Sequence, residues 1–304
     1  METILLAGGT GLIGKRLSLL LQQKGYEVVH LSRKQNLQAT YPAYQWDLDK
    51  GIIDEEAIRK ADCVINLAGA GIADKRWTKS RKQVIMDSRV KGTELLQKYF
   101  LTVKAPKVMI SSAAIGYYGE RGQNLIQENS GAGTNGFLVE SCMAWENAID
   151  ALNLAITSRS VVIRVGIVLS TLGGAFEKML LPFKVRTGSY FGDGSAIYSW
   201  IHIDDICGIF IAAIENESMS GVYNGVAPKP VSNKTLTEAT GKALGTTNLI
   251  LPAPSFALRL AMGEMADVVL TSANVSAQKI MESGYEFQFS EIEGAARDLL
   301  ERRI

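Results

Sequence analysis

The sequence predicts an α/β fold, a doubly wound parallel sheet with helices on both faces and a smaller C-terminal subdomain. Apolar runs of strand length alternate with longer segments whose apolar residues recur at helical spacing. The strand-like runs are continuous and rich in β-branched residues, as strands covered on both faces are. A glycine-rich turn joins the first run to the first helical segment.

In chain order, strands are expected at Thr3–Ala7, Glu27–Leu31, Cys63–Leu67, Lys107–Ser111 and Ser160–Leu169. Helices are expected at Lys15–Lys24, where Leu17, Leu20 and Leu21 share a face, and at Ser80–Tyr99, where Val84, Ile85, Val90, Leu95 and Leu96 do. After residue 165 the rhythm changes, because Gly173, Gly174, Gly188, Gly192, Gly194, Pro228 and Pro230 punctuate shorter segments. Residues 1–165 are read as the core domain, and 166–304 as a mixed region that completes the sheet and forms the substrate side.

The chain has 304 residues, of which 47% are hydrophobic and 21% charged, the balance of an ordinary globular protein. Lys plus Arg number 32 against 31 Asp plus Glu, so no charge excess points to nucleic acid or an anionic membrane. No apolar stretch reaches the length of a membrane span, and no signal peptide is evident. Cys63, Cys142 and Cys207 are too few and scattered for a disulfide framework or a zinc site. These features predict a cytoplasmic protein with a small-molecule partner.

The most informative motif is Ala7-Gly8-Gly9-Thr10-Gly11-Leu12-Ile13-Gly14. Gly8, Gly11 and Gly14 permit a tight turn and close approach of the backbone to a pyrophosphate. The following helix N-terminus, with Thr10, Leu12 and Ile13 around it, offers unpaired N–H groups and the positive end of its dipole. This is the pattern of a Rossmann dinucleotide-binding loop. The second strand then ends in Leu31-Ser32-Arg33-Lys34, where an NAD site usually places an acidic residue. A hydroxyl and two cations suit a ribose 2′-phosphate, which selects NADP(H); the alternative is a solvated charge pair. Asp47 is a candidate acceptor for the adenine amino group, or a plain surface carboxylate.

These residues resemble the extended short-chain dehydrogenase/reductase superfamily, and more narrowly an atypical epimerase-family branch of it. The resemblance rests on the glycine loop, Asn66-Leu67-Ala68-Gly69, Ser88-Arg89-Val90-Lys91-Gly92-Thr93, Ser111-Ser112-Ala113, Tyr117-Tyr118-Gly119, Ile163–Leu169 and Ser199–Asp205. Leu258–Met265 through Gly284–Phe287 is similar to the DUF1731 region of that branch, from about residue 250. It implies further cofactor contacts at Leu67, Ala68, Gly69 and Arg89. The Arg89 cation either reaches toward phosphate or covers the sheet edge.

The superfamily's proton chemistry uses Tyr-x-x-x-Lys on a helix, and no tyrosine here has a lysine four residues later. With Glu146 as anchor, the two positions fall on Leu138 and Cys142, which cannot do that work. Ser111, Ser112 and Tyr118 are the remaining catalytic candidates, as groups expected after a strand's carboxyl end. Tyr118 is the best chemical substitute, or else a packed aromatic. Cys142 reads as a buried helix residue rather than a nucleophile.

His202, within Trp200–Asp205, reads as part of a strand entering a helix capped by Asp204 or Asp205, not as a metal ligand. Arg164 interrupts an apolar strand and must pair with a carboxylate or meet a substrate anion. Phe176, Met179, Pro182 and Phe183 form either an apolar wall over the site or core. Two functions follow from the sequence. One is an NADP(H)-dependent oxidoreductase or epimerase-like enzyme acting on a small polar substrate; the other is an NADP(H)-binding sensor without turnover.

Overall fold

The computed structural model describes residues 1–156, 158–245 and 249–302. Among them, eight strands form the central sheet: β1 (Thr3–Ala7), β2 (Glu27–Ser32), β3 (Ala43–Asp47), β4 (Ile52–Ile53), β5 (Cys63–Asn66), β6 (Val108–Ala114), β7 (Arg159–Val165) and β8 (Gly221–Gly225). Their order is β8-β7-β6-β5-β1-β2-β3-β4, parallel throughout except that β4 runs antiparallel to β3. The chain builds outward from β1 in one direction and from β5 in the other. The crevice outside the carboxyl ends of β1 and β5 is therefore the switch point where such sheets bind ligands.

Alternation along β1 shows why its run is apolar throughout. Ile4 and Leu6 join one core with Leu17 and Leu21 of α1 (Leu12–Gln23), whereas Leu5 and Ala7 join another with Leu95, Leu96 and Phe100 of α2 (Lys79–Thr102). Both faces of the strand are covered, so both sets must be apolar. Two more helices flank the sheet: α3 (Phe137–Ala155), and α4 (Ile203–Glu215), which packs in the core with α1. No helix among the described residues is long and apolar enough to cross a membrane.

The run expected to be one strand over Ser160–Leu169 is two. At Gly166 a Cβ would collide with the Ser199 carbonyl oxygen, and beyond it Ile167–Leu169 leaves the sheet to pair with Trp200–His202. The glycine permits the close crossing that splits the strand. The expected strand at Lys107–Ser111 instead extends through Ala114, which carries Ser111 and Ser112 inside β6.

The C-terminal region returns to the first crossover. Asp204 of α4 accepts from Arg16 of α1 (Nε 2.6 Å, Nη2 3.0 Å) and from Arg302 of α5 (Ile292–Arg302) at 3.0 Å. Arg302 also pairs with Asp298, one turn earlier, at 2.7 Å.

Candidate functional site

At the end of β1 the chain turns through Gly8 (φ +85°), and Gly11 N donates to Gly8 O at 3.0 Å to close the loop. Three glycines are sterically required. A Cβ on Gly8 would stand 2.8 Å from the Leu67 carbonyl carbon, one on Gly9 would overlap the His30 ring, and one on Gly14 would overlap the Gly8 carbonyl. Gly11 is the N-cap of α1 and provides no side-chain cap, and the first turn holds no acidic residue. The helix therefore presents its first-turn N–H groups and positive dipole end to the crevice.

His30 supports this loop from below and was not singled out by the sequence reading. Its Nε2 lies 2.8 Å from Ser18 Oγ, and Ser18 Oγ donates to Gly14 O at 2.7 Å. The serine has one proton and spends it on Gly14, so Nε2 must carry the ring proton and donate. Burial pulls His30 down to about pKa 4, which keeps it neutral. A histidine inside an otherwise apolar strand, one strand over from the glycines, was the available signal.

Ser32 ends β2, and Arg33 and Lys34 follow it as exposed cations without an ion pair among the described residues. Asp47 is differently engaged. Its Oδ1 accepts from Asp49 N (3.1 Å) and Lys50 N (3.0 Å), and these backbone donors, with Lys50 close by, hold its pKa below the ordinary value. That oxygen organises a local turn instead of standing free for an adenine. On the other side of β1, Ala68 N donates to Asn66 Oδ1 at 3.1 Å, and Leu67 abuts Gly8. Arg89 lies beneath Gly69 and Ala70, donating from Nη1 to the Ala70 carbonyl at 3.1 Å, so it is packed under this loop rather than spread over a sheet edge.

The expected proton-transfer groups are not brought to the crevice. Ser111 is fully buried within β6 and its Oγ has no partner among the described residues. Ser112 Oγ, also buried, reaches only the Ala113 carbonyl at 3.3 Å. Tyr118 is 0% exposed; its hydroxyl donates to Asn224 Oδ1 at 2.7 Å and accepts from Arg164 Nη1 at 2.8 Å. Burial, partly offset by Arg164, pushes the phenol up to about pKa 12. Tyr118 is thus a structural hydroxyl with both hydrogen-bonding roles committed, which replaces its expected role beside the reacting centre.

Arg164 resolves in favour of an ion pair. It meets Glu146 of α3 with a fork, Nε to Oε1 at 2.8 Å and Nη2 to Oε2 at 2.7 Å, and stacks over the Tyr117 ring at 3.9 Å. Burial opposes its charge, but Glu146 and Tyr118 outweigh this and hold its pKa above the ordinary value. Leu138 and Cys142 face Gly116, where a Cβ would stand 3.0 Å from Leu138 Cγ and 3.3 Å from Cys142 Sγ. Burial pushes the Cys142 thiol up to about pKa 12, so it carries no thiolate.

Phe176 is fully buried in the main core, and Phe183 packs against Gly188. The cap of α4 differs from expectation. His202 Nδ1, not Asp204 or Asp205, accepts from Asp204 N at 3.0 Å. This leaves Asp204 free for the two arginines, while Asp205 accepts from Gln288 N at 2.8 Å and Phe289 N at 3.0 Å.

Beside Leu138 lies a cavity of about 210 Å3, lined among others by Trp77, Phe137, Leu138, Arg259 and Asp267. Trp77 and Phe137 meet edge to face at 5.0 Å, and Arg259 pairs with Asp267 at 2.9 Å across one wall. The sequence reading missed this wall, because it is assembled from the loop after β5, the turn at Gly119, the start of α3 and the C-terminal region.

The family model for the NAD dependent epimerase/dehydratase family matches residues 4–224, and the domain of unknown function DUF1731 matches residues 253–299. The Mycobacterium leprae epimerase family protein ML0860 is 34% identical over 291 residues, covering 95% of this chain and 92% of that protein. The Arabidopsis thaliana epimerase family protein SDR39U1 homolog, a chloroplastic protein, is 33% identical over 308 residues, covering 98% of this chain and 87% of its own length. The structure of human epimerase family protein SDR39U1 (isoform 2) with NADPH superposes with a TM-score of 0.88 at 32% identity, covering 99% of each chain. With its glycine loop at the switch point and a family model spanning most of its length, the chain belongs to the NAD dependent epimerase/dehydratase family and carries that family's Rossmann fold with a C-terminal DUF1731 domain.

Proposed function

We propose that the protein binds NADP(H) and catalyses a hydride-transfer reaction on a small molecule held beside Leu138. The observation that carries this is the cradle at the end of β1 with Arg33 and Lys34 beside it. Gly8 and Gly14 leave no room for side chains at the loop, and α1 presents uncapped N–H groups there. Two cations without carboxylate partners among the described residues flank the position of a ribose 2′-phosphate. The residues fit the cofactor, and the related human protein was solved with NADPH.

In this reading Gly8, Gly11, Leu12, Ile13 and Gly14 hold the pyrophosphate, with Thr10 at the loop's rim. Ser32, Arg33 and Lys34 hold the 2′-phosphate, and Leu67, Ala68 and Gly69 border the crevice next to the loop. NADPH, when bound, supplies a hydride to an acceptor carbon. Trp77 and Phe137 exclude water from one wall of the cavity, whose volume of about 210 Å3 suits part of a small molecule. Leu138 and Cys142 move no proton, so the solvent is the proton source. The three cysteines are unpaired and buried, which suits a reducing compartment such as the cytoplasm.

The test is in two stages. NADPH and NADH are titrated against the protein by fluorescence; then NADPH oxidation is followed with a panel of aldehydes, ketones and nucleotide sugars. Selective NADPH binding with turnover of a small carbonyl compound is expected. Binding without turnover on any member would favour a sensing role, and failure to bind either dinucleotide would overturn the reading.

A further inference from the structure

The first turns of α2 meet the loop after β5 through Arg81, whose Nη2 donates to the Gly71 carbonyl. The arginine is mostly buried, with its side chain 16% exposed, and its Nε is enclosed without a partner among the described residues. Its carboxylate neighbour is Asp74, whose Oδ2 stands 3.4 Å from Nη2 on a side chain that is 65% exposed. That contact is long for a charged pair. One edge of the guanidinium is therefore unmet at Nε and loosely met at Nη2.

The charge around this edge is one-sided. Residues 74–82 carry Lys75, Arg76, Lys79, Arg81 and Lys82 against Asp74. Lys178 adds its ammonium, donating to the Ala73 carbonyl at 2.8 Å, and Glu264, which reaches this segment from the C-terminal region, is held by Lys82. Clustered cations of this kind draw small anions toward them. The place is also suited to a substrate. Gly69 to Gly71 leave the end of β5 at the crevice, and Trp77, six residues beyond, lines the cavity beside Leu138. Arg81 holds the start of that loop, while Lys82 next to it lies over the Phe137 ring at 5.1 Å. The unmet edge thus belongs to the loop that runs from the crevice to the cavity wall.

Resting on the reading that a carbonyl compound is held beside Leu138, we propose that this compound carries a carboxylate, which Arg81 binds through Nε and Nη2 after displacing Asp74. The guanidinium fork matches the two oxygens of a carboxylate, and fixes its orientation as an ammonium could not. Asp74 leaves readily because an exposed pair at that distance contributes little. In the unliganded protein it partly fills the fork, and it rejects acceptors that lack the charge to replace it.

A clamp on the Gly71 carbonyl alone would give the same static contacts, so the test uses two variants whose effects have opposite sign. The full chain, Arg81→Gln and Asp74→Asn are saturated with NADP+, so that no reduction occurs, and titrated by calorimetry. The probes are oxamate and levulinate, whose carboxylate and carbonyl are differently spaced, their neutral ethyl and methyl esters, and inorganic phosphate. At least one of the two anions should bind about tenfold or more tighter than its ester; Arg81→Gln should abolish that preference with NADP+ affinity within about twofold, and Asp74→Asn should tighten the anion by about threefold. Equal binding of anion and ester, binding of neither anion, or binding of phosphate alone would overturn the assignment and leave the NADP(H) reading standing. An unchanged preference in Arg81→Gln would overturn it too. If Arg81→Gln does not fold, Asp74→Asn decides, since a mere clamp predicts no gain in anion affinity. Failure of the unaltered protein to bind NADP(H) would instead overturn the reading on which this rests.

Discussion

Gly9 lies flat against the imidazole of His30, leaving no space for even one methyl group between the phosphate loop and the strand beside it. Gly9→Ala should therefore displace either the loop or the ring. Overpacking of this kind costs about 1–3 kcal/mol. NADPH affinity and urea-denaturation midpoints should both fall, and Gly9→Ala combined with His30→Ala should recover part of the affinity. Additive losses in that double-mutant cycle would show that the two residues are not coupled.

Arg33→Ala should weaken NADPH by about tenfold, equivalent to ~1.4 kcal/mol, and leave NADH nearly unchanged. Paired titrations of the two dinucleotides measure the ratio. Equal losses would show that the cations after β2 do not read the 2′-phosphate.

Glu146→Gln leaves the Arg164 guanidinium buried without its counter-charge. Removing one partner of a buried pair costs about 3–5 kcal/mol, and equilibrium denaturation should show a loss of that order. A change below about 1 kcal/mol, the range of exposed pairs, would mean that water reaches this pair in solution.

Tyr118→Phe removes a donor from Asn224 and an acceptor from Arg164 in a buried site. The expected loss is about 1–3 kcal/mol of stability with NADPH affinity retained. A variant of full stability that loses turnover would restore the phenol to a catalytic role.

His30 and His202 are both held near pKa 4 by burial, against 6.5 in the unfolded chain. A depressed histidine contributes stability that is complete above pH 6.5 and is lost as pH falls toward 4, because the unfolded chain takes up the proton first. The His30 shift contributes of order 3 kcal/mol at neutral pH, and most of this should be gone by pH 4.5; His202, beside Asp298, acts in the same direction. Denaturation of the protein and of His30→Gln across this window should show a shallower pH dependence for the variant. Parallel curves would place the His30 titration elsewhere.

The parts of the fold that depend on local pattern were legible. Thr3–Ala7 and the glycines after it announce themselves because burial on both faces and a tight turn each demand particular residue types. The length of β6 was not legible, since Ser111 and Ser112 look like a strand end until the register with β7 carries them inside. Tyr118 looked available because sequence shows its hydroxyl but not Asn224 and Arg164, which come from β8 and β7. The helix cap at His202 was misassigned to the aspartates beside it for a related reason. Their stronger capping preference is local, whereas Arg16, Arg302 and the backbone at Gln288 and Phe289 claim them from far along the chain. The cavity beside Leu138 draws its walls from four separated segments, at Trp77, Gly119, Leu138 and Arg259 with Asp267, which only the tertiary fold brings together.

The grip of Asp204 on Arg16 and Arg302 ties the helix that opens the phosphate loop to a helix of the DUF1731 domain. During synthesis the loop and its helix emerge well before Arg302, one of the anchors that fix their orientation. A ribosome-bound chain lacking α5 would hold the glycines in sequence but not yet that anchor, so cofactor capture should mature late in folding. Deleting α5 is then not the removal of an accessory module but the loosening of the first crossover.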